Sequence, residues 1–134
     1  MAENSKRTAK AKYLIVGVDD DFRVRESLAS LVESAGHLSS MFASAEDFLR
    51  SGDLVRADCL VTDLRMPGMD GIELARSIRA ARPELPIIFI TAHTGEGARR
   101  TALEEGALAF LYKPFDTVEL LDLIRSALPP RCGP

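Results

Sequence analysis

The feature that most constrains the fold of this chain is a fivefold alternation of short apolar runs with segments of helical periodicity. Several runs are apolar at nearly every position, which is typical of parallel strands that are covered on both faces. The predicted strands are Tyr13–Val18, Leu38–Phe42, Cys59–Thr62, Ile87–Thr91 and Ala107–Tyr112.

Helical segments with start and stop signals lie between these runs. Gly36 follows the first of them, where a glycine commonly ends a helix. Ser44 and Asp116 each stand three residues before an acidic residue, a spacing that favours a capping box at a helix start. The fourth helix, near Gly95–Glu105, has two glycines in its first turn, and we expect it to be the most mobile helix.

Strand–helix alternation with right-handed crossovers implies an α/β fold, a doubly wound five-stranded parallel sheet in the flavodoxin-like order 2-1-3-4-5. Residues 12–128 are predicted to form this one domain. Residues 1–11 are predicted to be a flexible basic tail, because they carry three basic residues among the polar ones and little apolar content after Met1. Residues 129–134, which open with two prolines, are predicted to be a C-terminal tail or the start of a linker.

Composition excludes several classes of protein. With 17 basic and 20 acidic residues among 134, the net charge of -3 argues against a nucleic-acid coat or a polybasic membrane binder. No apolar run approaches the roughly 18 residues of a membrane span. The N-terminus has no apolar segment of the kind found in secretory signals. Cys59 and Cys132 form no CxxC motif, so we expect a reduced, cytoplasmic chain without a zinc site.

Polar residues of chemical interest follow four of the five predicted strands. Asp19 and Asp20 follow the first strand, Asp63 the third and Lys113 the fifth, while Thr91 ends the fourth. Because ligands of an open α/β sheet bind at the carboxyl ends of its strands, we expect these side chains to lie at one site. Each residue alone is most simply a capping or loop residue, and only the set indicates a function.

This set of residues suits phosphoryl chemistry. Asp19, Asp20 and Asp63 would repel one another unless a divalent cation lay between them, and a few hard oxygen ligands favour Mg²⁺. Thr91 can donate a hydrogen bond and Lys113 supplies a positive charge, both suited to phosphoryl oxygens. Asp63 lies between the other groups, so it is the predicted acceptor of a covalent phosphoryl group.

The chain resembles the response-regulator receiver domains of two-component signalling from about Tyr13 to Leu128. The stretches that carry the resemblance are VDDDFRVRESLASLVESAG, FASAEDFL, VTDLRMPGMDGIEL, IIFITAH and GALAFLYKPF. They look most like receivers of the FixJ/NarL type, which usually precede a LuxR-type helix-turn-helix domain.

The resemblance implies a role for each site residue. Asp63 matches the phosphoacceptor, while Asp19 and Asp20 match the acidic pair that positions Mg²⁺. The backbone carbonyl of Arg65 matches a further metal ligand. Thr91 matches the switch hydroxyl, Phe110 the aromatic switch residue, and Lys113 the family's lysine, whose bond to Pro114 is expected to be cis.

The implied function is a phosphorelay. A phosphohistidine of a sensor histidine kinase or phosphotransfer protein would donate its phosphoryl group to Asp63 with Mg²⁺ present. The protein would catalyse only its own phosphorylation and dephosphorylation, so it is not expected to be an enzyme. Phe110 would turn inward behind Thr91. The surface formed by the fourth helix, fifth strand and fifth helix would change, and with it partner binding or homodimer formation.

Several other functions fail on particular residues. Asp19–Asp21 would repel the phosphate of a flavin nucleotide. The GxxxxGK[ST] motif of a nucleoside triphosphatase is absent. Arg65 stands where a dehalogenase-type phosphatase has its second acid. Two alternatives stay open. The chain is a receiver fragment of a longer LuxR/FixJ-type DNA-binding regulator, or it is a non-phosphorylated pseudo-receiver that acts as a dimerisation module. No nucleic-acid or membrane contact is expected of the chain itself.

Gly17 departs from the receiver pattern, which usually has a larger aliphatic residue at this position of the first strand. A glycine within a strand either weakens packing or allows a neighbouring group to approach closely. We therefore expect a local effect at Gly17 on stability and none on the fold.

Overall fold

The structure, a computed structural model, describes residues 12–92 and 96–129 and contains one five-stranded sheet. Every neighbouring pair of strands is parallel, and the order β2-β1-β3-β4-β5 confirms the predicted fold. The strands are β1 (Leu14–Val18), β2 (Leu38–Phe42), β3 (Cys59–Asp63), β4 (Ile87–Thr91) and β5 (Ala109–Tyr112). The tail predicted for residues 1–11 lies outside the described residues, as do residues 130–134 of the tail predicted for residues 129–134.

Helices follow each strand, and a short 3-10 helix, Asp53–Val55, lies before β3. Ser44 caps its helix by accepting from the N–H of Asp47, and Asp116 accepts from the N–H groups of Val118 and Glu119. None of the helices among the described residues is long and apolar enough to cross a membrane. The helices are α1 (Phe22–Ser34), α2 (Ala45–Ser51), α3 (Gly71–Ala81), α4 (Glu96–Glu104) and α5 (Thr117–Ala127).

Strand β5 begins two residues later than predicted. The N–H of Ala107 donates to the carbonyl of Ala102, 3.2 Å away, so it belongs to the turn that ends α4. Leu108 then donates to Ile87 of β4 from outside the strand proper. Apolar composition does not reveal this because both residues are as hydrophobic as the strand that follows.

The core lies on both faces of the sheet. Helices α1 and α5 cover one face through residues such as Leu28 and Ile124, and α2, α3 and α4 cover the other through residues such as Phe48 and Ile78. Strands β1, β3 and β4 are buried at every position, as expected for parallel strands between two helical layers. The polar residues that follow these strands are therefore held by a rigid scaffold.

Gly17 makes room for a side chain of the neighbouring strand. Gly17 pairs with Met41 in the sheet, and a Cβ at Gly17 would lie 2.4 Å from the Met41 sulfur. The thioether occupies the space that an aliphatic side chain at position 17 would otherwise fill. Gly17 thus allows the close approach that a strand glycine indicates.

Candidate functional site

Three carboxylates converge where β1 and β3 end. Asp19 directly follows β1, Asp63 is the last residue of β3, and Val18 and Thr62 just before them are paired in the sheet. One carboxylate oxygen from each of Asp19, Asp20 and Asp63 lies within 4.8 Å of the others. Asp19 and Asp63 are buried, whereas Asp20 is exposed. The predicted juxtaposition of these residues is therefore present.

The turn between β1 and α1 fixes Asp19. Its N–H donates to the carbonyl of Phe42 on β2, and its Oδ1 accepts from the N–H of Asp21 at 2.8 Å. Its own carbonyl accepts from the Arg25 guanidinium, 2.9 Å away. These contacts hold Asp19 so that its second oxygen, Oδ2, faces Lys113.

Lys113 places one ammonium group against two buried carboxylates. Its Nζ lies 2.9 Å from Oδ2 of Asp19 and 3.4 Å from Oδ2 of Asp63. The residue directly follows β5, its N–H donates to the carbonyl of Thr91, and its bond to Pro114 is cis as expected. The backbone contacts therefore place the Lys113 ammonium group at the edge of the sheet where β1 and β3 end.

The charged groups at the site shift one another's pKa values. Burial and the neighbouring Asp19 raise the pKa of Asp63, and Lys113 offsets only part of that effect. Burial lowers the pKa of Lys113, but the carboxylates of Asp19 and Asp63 outweigh it and hold the pKa above its usual value. Burial is thus the main cause of the shift at Asp63, whereas the two neighbouring carboxylates cause the shift at Lys113.

The excess of negative charge fits a divalent metal ion. Among the residues that the structure describes, three carboxylates gather where one ammonium group pairs with two of them, and all their donor atoms are hard oxygens of the kind that Mg²⁺ prefers. Asp20 is exposed, so a bound ion would keep access to water and to a phosphoryl oxygen. The residues present therefore fit the predicted Mg²⁺. The Arg65 carbonyl, on the loop just after Asp63, stays a predicted ligand.

The two predicted switch residues lie in adjacent strands. Thr91 is the fully buried last residue of β4. Phe110, in β5, is 7% exposed, and its ring centroid lies 6.5 Å from that of Phe89 and 5.4 Å from that of Tyr112. We expected Phe110 to turn inward on phosphorylation, but its ring is already inside, because it packs with the apolar core beneath α4.

Residues 15–125 of the chain match the family described as the response regulator receiver domain. That match spans most of the chain, and it covers every residue of the site described above. The chain belongs to the receiver-domain family of response regulators. The resemblance inferred from the sequence is thereby confirmed, and the strand-end carboxylates lie in the part of the chain that the family defines.

This receiver is 40% identical over 111 residues to the transcriptional regulatory protein FixJ of Azorhizobium caulinodans. The aligned part is 83% of this chain and 53% of FixJ, so the chain spans about half the length of that relative. The FixJ-N crystal structure superposes with a TM-score of 0.77 at 39% identity, covering 86% of this chain and 92% of FixJ-N. A beryllofluoride-activated NtrC4 receiver domain dimer gives 0.80 at 26% identity, covering 86% and 95%.

Two residues that hold the receiver's Asp63 loop were missed by sequence reasoning. A Cβ on Gly71 would lie 2.4 Å from the backbone carbonyl oxygen of Asp63, and the Gly71 N–H donates to Leu64 at 2.9 Å. From α2, Glu46 accepts a hydrogen bond from the N–H of Met69 at 2.8 Å. The Asp70-Gly71 pair at the start of α3 was a signal for a turn, but nothing in the local sequence indicates the partner of Glu46.

Proposed function

We propose that this receiver accepts a phosphoryl group on Asp63 from a phosphohistidine of a sensor histidine kinase or phosphotransfer protein. One observation carries the proposal: the buried Asp63 carboxylate lies beside the Asp19 carboxylate and 3.4 Å from the Lys113 ammonium group. A capping or loop aspartate has no need of a partly buried cation and a second buried acid. A phosphoryl acceptor needs both, because charge must be balanced as the phosphoryl group arrives.

The transfer forms one bond and breaks one. An oxygen of ionised Asp63 attacks phosphorus, and the P–N bond breaks with its electron pair remaining on the imidazole nitrogen. The product is an acyl phosphate on Asp63. In this proposal the protein catalyses only its own phosphorylation and the later hydrolysis.

The neighbouring residues supply position and charge. Lys113 reaches both Asp19 and Asp63, so its ammonium group can move from a carboxylate to a phosphoryl oxygen over a short distance. The hydroxyl of Thr91 would donate to another phosphoryl oxygen. Asp19, Asp20 and Asp63, with the carbonyl of Arg65, would hold Mg²⁺, which when bound neutralises charge on the carboxylates and the phosphoryl oxygens.

The proposed output is a population shift at the surface formed by α4, β5 and α5. Thr91 and Phe110 are buried beneath this surface. Because Phe110 is already inside, phosphorylation would stabilise this inward arrangement rather than create it. Leu103 of α4 and Tyr112 of β5 expose apolar area, as does Leu108 just before β5, which suits a partner protein or a second receiver. We propose such a homodimer for this chain by analogy with the NtrC4 domain.

A second proposal concerns the longer protein. Because the chain corresponds to about half of FixJ, it would be the receiver part of a transcription regulator, and phosphorylation would control a DNA-binding domain. The predicted compartment for this exchange is the cytoplasm. In this proposal the receiver itself contacts protein partners and not DNA.

Intact-mass spectrometry tests the acceptor directly. Wild type and Asp63→Asn are incubated with phosphoramidate, with and without Mg²⁺. We expect one phosphoryl adduct in wild type that depends on Mg²⁺ and is absent from Asp63→Asn. Absence of any adduct, also with a cognate kinase, would overturn the proposal and support a pseudo-receiver that acts by dimerisation.

A further inference from the structure

The loop of residues 64–70 joins Asp63 to α3 and carries the predicted Arg65 ligand. Its two ends are fixed locally. At one end the N–H of Gly71 donates to the carbonyl of Leu64. At the other end Asp70 and Glu73 form a capping box, in which each side chain accepts from the other residue's N–H. These contacts fix where the loop begins and ends but do not fix its middle.

Glu46 of α2 contacts this loop at Met69, one residue before the capping residue Asp70. Its Oε2 accepts from the N–H of Met69 at 2.8 Å, over 23 positions of sequence. A carboxylate accepting from a backbone N–H makes a charge-assisted hydrogen bond, roughly twice as strong as a neutral one. That hydrogen bond is the main reason that the pKa of Glu46 lies below its usual value, so the acceptor stays ionised at neutral pH.

Gly68 provides the space that this contact needs. A Cβ at Gly68 would lie 2.6 Å from Oε2 of Glu46, so any larger residue would displace the carboxylate. Gly68 also has φ +76°, a conformation that side chains disfavour. The glycine at position 68 therefore leaves space for the Glu46 carboxylate, which the N–H of Met69 then binds.

We propose that Glu46 is a positioning residue for the phosphoacceptor site: its carboxylate holds the loop of residues 64–70 in the conformation that lets Asp63 and the Arg65 carbonyl bind Mg²⁺ together. This inference rests on the proposed function. Without the hydrogen bond from Met69 to Glu46, Met69 and Gly68 would move, and the carbonyl of Arg65 would sample other directions. Loss of a group that orients metal ligands typically weakens metal binding by about 10–100-fold.

Three variants separate this role from general stability. Glu46→Ala removes the acceptor, and Glu46→Gln keeps an oxygen that can accept from Met69 but loses the charge. Asp47→Ala is the matched control, because Asp47 is the next residue and has the same charge. Its side chain pairs with Arg50 of the same helix and not with the loop. The measurements are Mg²⁺ affinity by calorimetry, amide hydrogen exchange at Met69, and Tm without metal.

We expect Glu46→Ala to weaken Mg²⁺ binding by about tenfold and to speed exchange at Met69. Glu46→Gln should recover part of both effects, and Asp47→Ala should change neither. Wild-type Mg²⁺ affinity in Glu46→Ala, with faster exchange at Met69, would overturn the inference. If Glu46→Ala does not fold, the comparison of Glu46→Gln with Asp47→Ala decides in the same way, because an unchanged Mg²⁺ affinity in Glu46→Gln with faster Met69 exchange contradicts positioning.

Different results would contradict the proposed function and the positioning role of Glu46. A wild-type protein that binds Mg²⁺ but accepts no phosphoryl group contradicts the function, while the Mg²⁺ affinities of the variants still decide the role of Glu46. A wild-type protein that binds no Mg²⁺ contradicts both. Normal phosphorylation of wild type together with unchanged Mg²⁺ affinity in Glu46→Ala contradicts only the positioning role.

Discussion

At the scale of single residues, the described part of the site balances two buried acids against the ammonium group of Lys113. Asp19 and Asp63 are buried, and Lys113 is the ammonium group within salt-bridge distance of both. Removing the cation should therefore lower the stability of the metal-free protein, and removing one of the carboxylates should raise it. The cost of an unpaired buried charge exceeds the gain from a typical surface pair.

Lys113→Met should destabilise the metal-free protein by about 2 kcal/mol, because two buried carboxylates lose their cation while the site keeps some access to water. Added Mg²⁺ should restore more stability to this variant than it adds to wild type. Urea unfolding with and without Mg²⁺ measures both effects, and Lys113→Arg, which keeps the charge, is the control. Equal stability of Lys113→Met and wild type without metal would show that the ion pairs contribute nothing.

Asp63→Asn should raise Tm by a few degrees without metal, because the carboxylate that burial and Asp19 disfavour is removed. The sign of the pH dependence follows from the raised pKa of Asp63. The folded state holds this proton more tightly than the unfolded state, so wild type loses stability relative to the variant as pH rises from the unfolded pKa through the folded one. Melting curves across acidic pH test this, and a pH-independent difference would contradict it.

At the scale of elements, α3 and α4 differ in how closely their first turns pack. Gly71 begins α3 against the backbone of β3, whereas Gly97 in the first turn of α4 has no atom within 4 Å of an added Cβ. The other end of α4 is anchored, because Glu105 pairs with Arg76 and Arg79 of α3. The expectation that α4 is the most mobile of the helices stays a prediction.

Gly71→Ala should destabilise the receiver by about 2 kcal/mol and slow phosphorylation of Asp63, because the new Cβ would press on the carbonyl of the acceptor residue. Gly97→Ala is the matched substitution in open space, and it should be neutral or stabilise by up to about 1 kcal/mol. Urea unfolding and intact-mass phosphorylation rates compare the two. A Gly71→Ala protein that behaves like Gly97→Ala would rule out the close approach.

At the scale of the whole molecule, metal binding should be visible as stability. If the folded chain holds Mg²⁺ and the unfolded chain does not, a free concentration of 100 times the Kd adds about 2.7 kcal/mol. Wild type should therefore show a Tm that rises with Mg²⁺ concentration. Asp20→Asn, which changes the exposed member of the acidic cluster, should show a smaller rise. An equal rise in both proteins would remove Asp20 from the metal site.

The sequence alone determined the strand–helix alternation, the strand order and the identity of the strand-end residues. These features follow from local patterns, since buried parallel strands are apolar throughout and their carboxyl ends meet at one edge. Asp19, Asp63 and Lys113 could be brought together by that rule without coordinates. The cis bond before Pro114 came from family resemblance instead.

Only the tertiary structure decided how the site is held and which state the switch residue occupies. Glu46 meets Met69 across 23 positions, and the neighbour of Gly17 is a methionine on another strand. Phe110 is likewise buried, although the same sequence permits an inward or an outward position of its ring. Such contacts depend on where packed elements place their atoms to within an ångström, and no local periodicity encodes that distance.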